Sequence, residues 1–480
     1  MRRLLTALIA LTLTTPVTAH ASANDHVRTD KGVVRGTATS TYRLFQGIPY
    51  AAPPVRFRFA EPAAPWQGVR DATAPAPRCA QVAGLGTPAS TAEDCLYLNV
   101  TTPASGHRLP VMVWIHGGNF MTGSGGEYDA RAFAARAGVV VVTINYRLGA
   151  LGFFGYPGLP GSGSFGLDDQ QKALSWVRRN AAAFGGNPAN VTIFGESAGG
   201  MSACGLLTSP RRLFDKAIIQ SGACGTLFGG GPTVFAPTWL PRSQVEQNGA
   251  ALDLGCSSIQ CLRSLDVSRF LDGTVVRTFN RPAYGTSVLP HNPVEAIEDG
   301  RFHRMPVMIG GTRDEDTLFT SLFNPSPIPD AQYRAELVKR HGPERADALV
   351  ARYPLDGDGD ARPELSATVT DRSWACPAHH EGLLLSAFRY EFADRNAPMF
   401  LRLPPFPYKA YHSSELQYLF TYGTTLTPEQ RQLSDQMIDA WARFAASGRP
   451  GWPRGVVESL APGQVGPVDF VAQHQCGFWG

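Results

Sequence analysis

Val191-Thr192-Ile193-Phe194-Gly195-Glu196-Ser197-Ala198-Gly199-Gly200 is the stretch that decides how the rest of the chain is read. A β-branched, apolar run ends in Gly-x-Ser-x-Gly, and a small-residue segment of helical composition, Met201 to Leu207, follows. This layout predicts a strand turning sharply into a helix with Ser197 at the apex, a nucleophile elbow. A serine held there has a strained backbone. Gly195 and Gly199 omit side chains that would strike neighbouring main chain. In a chain with 50 glycines the five-residue pattern alone also fits an ordinary Gly/Ser turn, so its flanks must carry the reading.

Outward from the elbow, the flanks alternate between strand and helix. Upstream, Val111 to His116 and Val139 to Ile144 are continuous apolar runs of buried-strand length. Between them and the elbow, Leu167 to Phe184 puts Leu167, Leu174, Val177, Ala181 and Phe184 on one helical face, with Gly185-Gly186 as the stop. Downstream, Ala217-Ile218-Ile219, Met305 to Ile309 and Met399 to Leu403 read as further strands. Thr427-Pro428-Glu429 opens a last helix that turns Leu433, Ile438, Trp441 and Phe444 inward and ends at Gly448. Val27 to Asp71 alternates between Gly and Pro breaks and predicts short antiparallel strands at a sheet edge. The whole predicts an α/β chain with a mostly parallel sheet covered by helices on both faces. The Pro- and Gly-rich stretches 222–300 and 320–396 read as insertions over that sheet, and there is no internal repeat.

The 480 residues are 43% hydrophobic and 17% charged, which is a globular composition. Residues 1–23 read as a secretory signal: Arg2 and Arg3, an apolar stretch from Leu4 to Leu13, then Ala21-Ser22-Ala23 as the cleavage site. Residues 24–480 are then expected to form one exported domain with no membrane anchor, the apolar run being too short to span a bilayer. Without Arg2 and Arg3 the basic and acidic counts almost balance, which disfavours a nucleic-acid partner.

A serine hydroxyl becomes a nucleophile when a histidine takes its proton and a carboxylate orients that histidine. After a nucleophile elbow the expected chain order is Ser, then Asp or Glu, then His. Asp314-Glu315-Asp316 follows the strand Met305–Ile309 and the Gly310-Gly311 turn, where functional groups collect beyond strand carboxyl ends. A solvated acidic loop is the plain alternative. The histidines after that cluster are His341, His379, His380, His412 and His474. His412 leads because it follows the strand expected at Met399–Leu403, whereas His379 and His380 read as structural. His116-Gly117-Gly118-Asn119-Phe120, after a buried strand, suits a loop whose N–H groups stabilise a developing oxyanion.

These pieces resemble the type-B carboxylesterases, which include the cholinesterases, within the α/β-hydrolase fold. The resemblance also rests on Phe45-Gln46-Gly47-Ile48-Pro49-Tyr50-Ala51, Glu93 to Val100, Asn145-Tyr146-Arg147-Leu148-Gly149 and Phe184-Gly185-Gly186-Asn187-Pro188. It implies Ser197 as nucleophile, Glu315 as orienting acid and His412 as base, with the N–H groups of Gly118, Asn119 and Ala198 as the oxyanion hole. Two positions depart from the family pattern: Asp316 follows the acid where Gly is usual, and Asn119 stands where Gly or Ala is commoner. The implied activity is two-step ester hydrolysis through an acyl-enzyme, with no cofactor and no metal. The rival reading is a binding or adhesion protein on the same fold that has lost catalysis.

Eight cysteines in an exported chain suggest disulfides. By the resemblance they pair as Cys79–Cys95, Cys256–Cys261 and Cys376–Cys476, leaving Cys204 and Cys224 as a fourth bridge or two buried thiols, the bridge being preferred. Asp356-Gly357-Asp358-Gly359-Asp360 is a solvated turn rather than a calcium loop, because Ala361 and Ala367 stand where such a loop needs Gly and Glu. Cholinesterases hold a quaternary ammonium over a tryptophan of the first disulfide loop. Ala80 to Asp94 contains no Trp, Tyr or Phe, so neutral esters of short to medium acyl length are expected. Phe120, Phe228 and Trp239 are candidate pocket walls.

Overall fold

In a computed structural model, residues 25–84, 86–229 and 235–480 are described. The signal-like residues 1–23 and the side chain of Phe228 lie outside them. An 11-stranded sheet runs through the chain. In spatial order its strands are Gly466–Val468, Val457–Leu460, Phe388–Phe392, Val307–Thr312, Lys216–Gln220, Gly186–Glu196, Leu109–Ile115, Val140–Ile144, Tyr97–Pro103, Tyr42–Pro49 and Thr37–Ala38. From Val457–Leu460 across to Val140–Ile144 every pairing is parallel, and the flanking pairings are antiparallel.

Period-two alternation builds a core on each face. Along Leu109–Ile115, Val111, Val113 and Ile115 join one apolar cluster while Met112 and Trp114 join the other. The elbow strand does the same, with Val191 and Ile193 on one face and Phe194 on the other. The helix Phe165–Asn180 covers the first face through Leu174, Trp176 and Val177, then tightens into a 3₁₀ turn, Ala181–Phe184. The helix Pro428–Ser447 covers the second face. Thr427 and Gln430 form a reciprocal capping box at its start, and Gly448 closes it in the left-handed region at φ 76°.

Two expectations need correction. Met399–Leu403 is irregular, and the strand lies earlier at Phe388–Phe392. Pro398 and Pro404 bracket the apolar run, and proline cannot donate to a ladder. The true strand reads Phe-Arg-Tyr-Glu-Phe, and its buried Arg389 and Glu391 hide it from an apolar-run search. The N-terminal segment also divides between two sheets. His26–Arg28, Val33–Arg35 and Val69–Asp71 make a separate three-stranded sheet with one parallel pairing, and Thr37–Ala38 with Tyr42–Pro49 forms the edge of the main one.

Disulfides join Cys79 to Cys95, Cys204 to Cys224, Cys256 to Cys261 and Cys376 to Cys476. The Asp360 carboxylate is taken by the guanidinium of Arg362 at 2.7 Å. No helix among the described residues is long and apolar enough to cross a membrane.

Candidate active site

The strand Gly186–Glu196 stops one residue short of Ser197, and the helix Ala198–Leu207 starts one residue beyond it. Ser197 bridges them at φ 57°, ψ −125°, a conformation that costs about 1–3 kcal/mol and persists only where the surroundings enforce it. The enforcement is steric. A Cβ on Gly199 would lie 1.9 Å from the carbonyl oxygen of Ile115, so only glycine allows helix and strand to approach this closely. The turn is thereby pressed against the carboxyl end of Leu109–Ile115, from which the next loop departs.

That loop begins at His116, whose buried ring stacks on Tyr146 at 4.4 Å and is pulled down to a pKa of about 4 by burial, against a smaller opposing pull from the Gly117 carbonyl. Gln81 clamps the loop's far end, donating to Gly123 O at 2.9 Å and accepting from Gly123 N–H at 2.8 Å. Between these anchors Gly118 and Asn119 take φ 99° and 55°. Among the described residues, the N–H groups of Gly118, Asn119 and Ala198 have no protein acceptor. Those of Gly118 and Asn119 belong to a loop and that of Ala198 to the first turn of a helix, where N–H groups are unpaired by geometry.

Glu315 follows the strand Val307–Thr312, and His412 follows an irregular segment. Backbone stitches hold the two together: Asp314 N–H donates to Ala410 O at 2.9 Å, and His412 N–H to Glu315 O at 3.3 Å. His412 Nδ1 then lies 2.6 Å from Glu315 Oε2, with both side chains buried. Its other nitrogen, Nε2, lies 3.0 Å from Glu196 Oε1, which also accepts from Ser413 Oγ at 2.7 Å. Phe319 and Trp374 pack their rings on the imidazole at 4.9 and 4.7 Å.

The electrostatics follow from these contacts. Burial pulls the His412 pKa down, but the charges of Glu196, Glu315 and Glu415 and the Glu315 hydrogen bond outweigh it and push the value up to about 9. Burial likewise raises Glu196, and raises Glu415 to about 8 and Asp316 to about 7. The carboxylates and His412 therefore share protons as a group rather than titrating one by one.

A cavity of about 260 Å³ opens onto this group. Ser197, His412, Glu196, Gly118 and Asn119 all line it, so the elbow, histidine and glycine-rich loop meet at one place; Glu315 stands behind His412. Its outer wall comes from Val82, Ala83 and Gly84 of the first disulfide loop, from Phe319, and from Leu322, Phe323 and Trp374 of the later insertion. Phe120 and Trp239 do not line it: Phe120 packs on Phe153, and Trp239 lies under the elbow helix with its Nε1–H on Cys224 O. Sequence reasoning also missed Glu196 and Glu415 as members of the buried charge cluster, which Asp316 of the acidic run joins. Glu196 is adjacent to Ser197 and Glu415 is three residues after His412, so proximity to these two was the available signal.

An elbow serine over a mostly parallel sheet, sharing a cavity with a histidine bonded to a carboxylate, defines an α/β-hydrolase. The chain belongs to the Carboxylesterase family, whose sequence profile matches residues 23–459. It is 36% identical over 467 residues to the para-nitrobenzyl esterase of Bacillus subtilis (strain 168), covering 89% of this chain and 92% of that protein. It is 32% identical to the acetylcholinesterase of Bungarus fasciatus, covering 89% of this chain and 79% of that protein. Among solved structures, one titled PNB esterase superposes with a TM-score of 0.76 at 33% identity over 94% of this chain and 99% of that one. The chain is a carboxylic-ester hydrolase.

Proposed function

We propose that the chain is an exported serine carboxylesterase acting on neutral esters through a Ser197–His412–Glu315 acyl-enzyme mechanism. The observation that carries this reading is the single cavity onto which the strained Ser197 and a Glu315-bound His412 both open. Ser197 Oγ attacks the ester carbonyl and gives its proton to Nε2 of the neutral His412, once that nitrogen has turned from Glu196 Oε1 to the serine, and the imidazolium returns the proton to the departing alcohol. The oxyanion is met by the N–H groups of Gly118, Asn119 and Ala198, each worth about 3 kcal/mol of barrier where such donors have been removed. Water then repeats the attack on the acyl-serine. Glu315 holds the Nδ1 proton and supports the imidazolium as it forms.

The wall favours uncharged, apolar substrates. Val82, Ala83 and Gly84 offer no aromatic face to a cation, whereas Met121, Phe319, Leu322 and Phe323 suit acyl or alcohol carbons. The relative named para-nitrobenzyl esterase points the same way. Export is supported by the pattern of residues 1–23 and by four disulfides, and N-terminal sequencing of the secreted protein should find a start within Ser22 to Asn24.

The deciding experiment is stoichiometric labelling with an organophosphate followed by peptide mapping. Ser197 is the expected adduct, and Ser197→Ala should lower ester turnover by on the order of 10⁶-fold. An adduct on another serine, with Ser197→Ala retaining activity, would refute the assignment.

A further inference from the structure

Behind the Glu315–His412 pair lies a second cavity, also of about 260 Å³, which shares no lining residue with the first. Arg313 and Asp314, just ahead of Glu315, form one side, and Lys409, just ahead of His412, forms another. The helices Pro343–Arg352 and Arg362–Thr370 and the segment 473–475 close it.

Some of its charges are already matched. Arg395 is held by Asp314 through contacts of 2.7 and 3.0 Å, and His474 lies between Asp371 and Glu391 at 2.5 Å from each. Others are not. Among the described residues, the Arg313 guanidinium and the Lys409 ammonium make no hydrogen bond or ion pair, Lys409 acting only through its charge on the Glu364 carboxyl, and Arg352 meets only a carbonyl and the face of Phe478. Two buried oxygens on the same wall, Ser366 Oγ and Glu364 Oε2, have no partner either, and Ser366 is only 1% exposed. Native proteins rarely leave such atoms unsatisfied, so each one asks for an explanation.

We propose that this cavity binds a small hydroxylated organic anion, its anionic group between Arg313 and Lys409 and its hydroxyls on Glu364 Oε2 and Ser366 Oγ. Charge-assisted hydrogen bonds from a guanidinium and an ammonium suit a carboxylate or a phosphate. A hydroxyl supplies the proton that Glu364 Oε2 lacks and accepts or donates at Ser366. A metal cation is disfavoured, because the carboxylates of Asp314 and Asp371 are engaged and the unmatched groups are mostly positive.

The site adjoins the active centre through shared loops. Ala410 N–H donates to Asp314 Oδ2 at 3.2 Å, and Thr317 Oγ1 reaches both Asp314 O and Tyr408 O at 2.7 Å. A ligand spanning Arg313 and Lys409 ties together the two segments that set the Glu315–His412 contact. Occupancy therefore changes kcat rather than KM; this consequence rests on the serine mechanism above, whereas binding itself does not.

The test uses the full mature chain, with citrate and glycerol 3-phosphate as probes and with glycerol and sodium chloride at matched ionic strength as controls. Calorimetry should show saturable 1:1 binding of one probe, the carboxylate or the phosphate arm identifying its chemistry, with a matching rise in Tm. Arg313→Gln with Lys409→Gln should weaken it about tenfold or more, and Ser366→Ala by less. If the double variant does not fold, the half-exposed Lys409→Gln alone carries the comparison. No saturable binding of either probe, equal binding by the variants, or an equal Tm rise with sodium chloride overturns the site. Binding that leaves kcat for p-nitrophenyl acetate unchanged overturns the coupling. Loss of turnover in Ser197→Ala without loss of binding keeps the two readings separate.

Discussion

His412 and His474 are built alike and placed differently. Each is buried and bracketed by two carboxylates: His412 by Glu315 and Glu196, His474 by Asp371 and Glu391. In each, burial pulls the imidazole pKa down, and its carboxylates, by hydrogen bond and by charge, push it up to about 9. Only His412 shares a cavity with a strained serine and a loop of unpaired N–H groups. His474 stands two residues before Cys476, with its carbonyl against the sulfur of Cys376. A perturbed pKa therefore marks a buried ion cluster, and our proposal of chemistry at His412 rests instead on the cavity it shares with the candidate nucleophile Ser197.

The sharpest way to break this contrast is to remove each imidazole in turn. His412→Gln should lower kcat/KM for a p-nitrophenyl ester by on the order of 10⁴-fold or more. His474→Gln should leave kcat within a few-fold but leave Asp371 and Glu391 buried without their cation, destabilising the fold by about 3–5 kcal/mol in urea titrations. Equal kinetic losses in the two variants would erase the distinction.

Next in size is the bridge beside His474. Cys376 and Cys476 are 100 residues apart, so opening that loop should cost about 4–5 kcal/mol in a chain-entropy model. The Cys256–Cys261 bridge closes only five residues and should matter less. Paired Cys→Ser variants compared by Tm test the ranking, and a larger loss for the short loop would reverse it.

The pH dependence sharpens the comparison further. In the proposed mechanism catalysis needs neutral His412, so kcat/KM should fall as pH drops, with its acid limb above the ordinary imidazole value of about 6.5. Glu196→Gln removes one of the raising charges and should move that limb down by about one unit. For stability the sign is shared by both histidines. A folded pKa raised to about 9 contributes stability fully present below about 6.5 and lost as pH rises toward 9. His474→Gln should flatten the fall of Tm across that window without moving the kinetic limb. A limb that follows His474 instead would contradict the placement.

The smallest expected effect concerns the cavity wall. A choline ester and its uncharged isostere of matched size should differ in kcat/KM by less than about tenfold, or 1.4 kcal/mol. A larger preference for choline would reveal a cation site formed by Trp374 or Phe319 with Glu196 or Asp316, all of which line the cavity.

How much was readable follows from how local each feature is. The elbow, the glycine-rich loop and the capped last helix are written in short motifs, because each is a demand on a few φ angles or on one close approach. Phe388–Phe392 was not readable, because its Arg389 and Glu391 gain their burial from distant partners: Arg389 contacts His379, and Glu391 contacts Gln473 and His474. Met399–Leu403 has the apolar content of a strand, but its bracketing prolines, Pro398 and Pro404, cannot donate to a ladder. The first disulfide loop lacks aromatics on the face of its sequence, but that Phe319 and, from the later insertion, Trp374 reach the same cavity depends on packing.

By itself, then, the sequence determined the sheet-and-helix alternation, the strained serine between its glycines, and the order in which acid and histidine follow it. These are properties of neighbouring residues, set by hard-sphere contact and periodicity. Only the tertiary structure decided which of two doubly bracketed histidines shares a cavity with Ser197, that Glu196 occupies its second nitrogen, and which insertion walls the cavity. Those outcomes depend on residues more than a hundred positions apart converging at the carboxyl ends of the parallel strands, where no local rule specifies the partner.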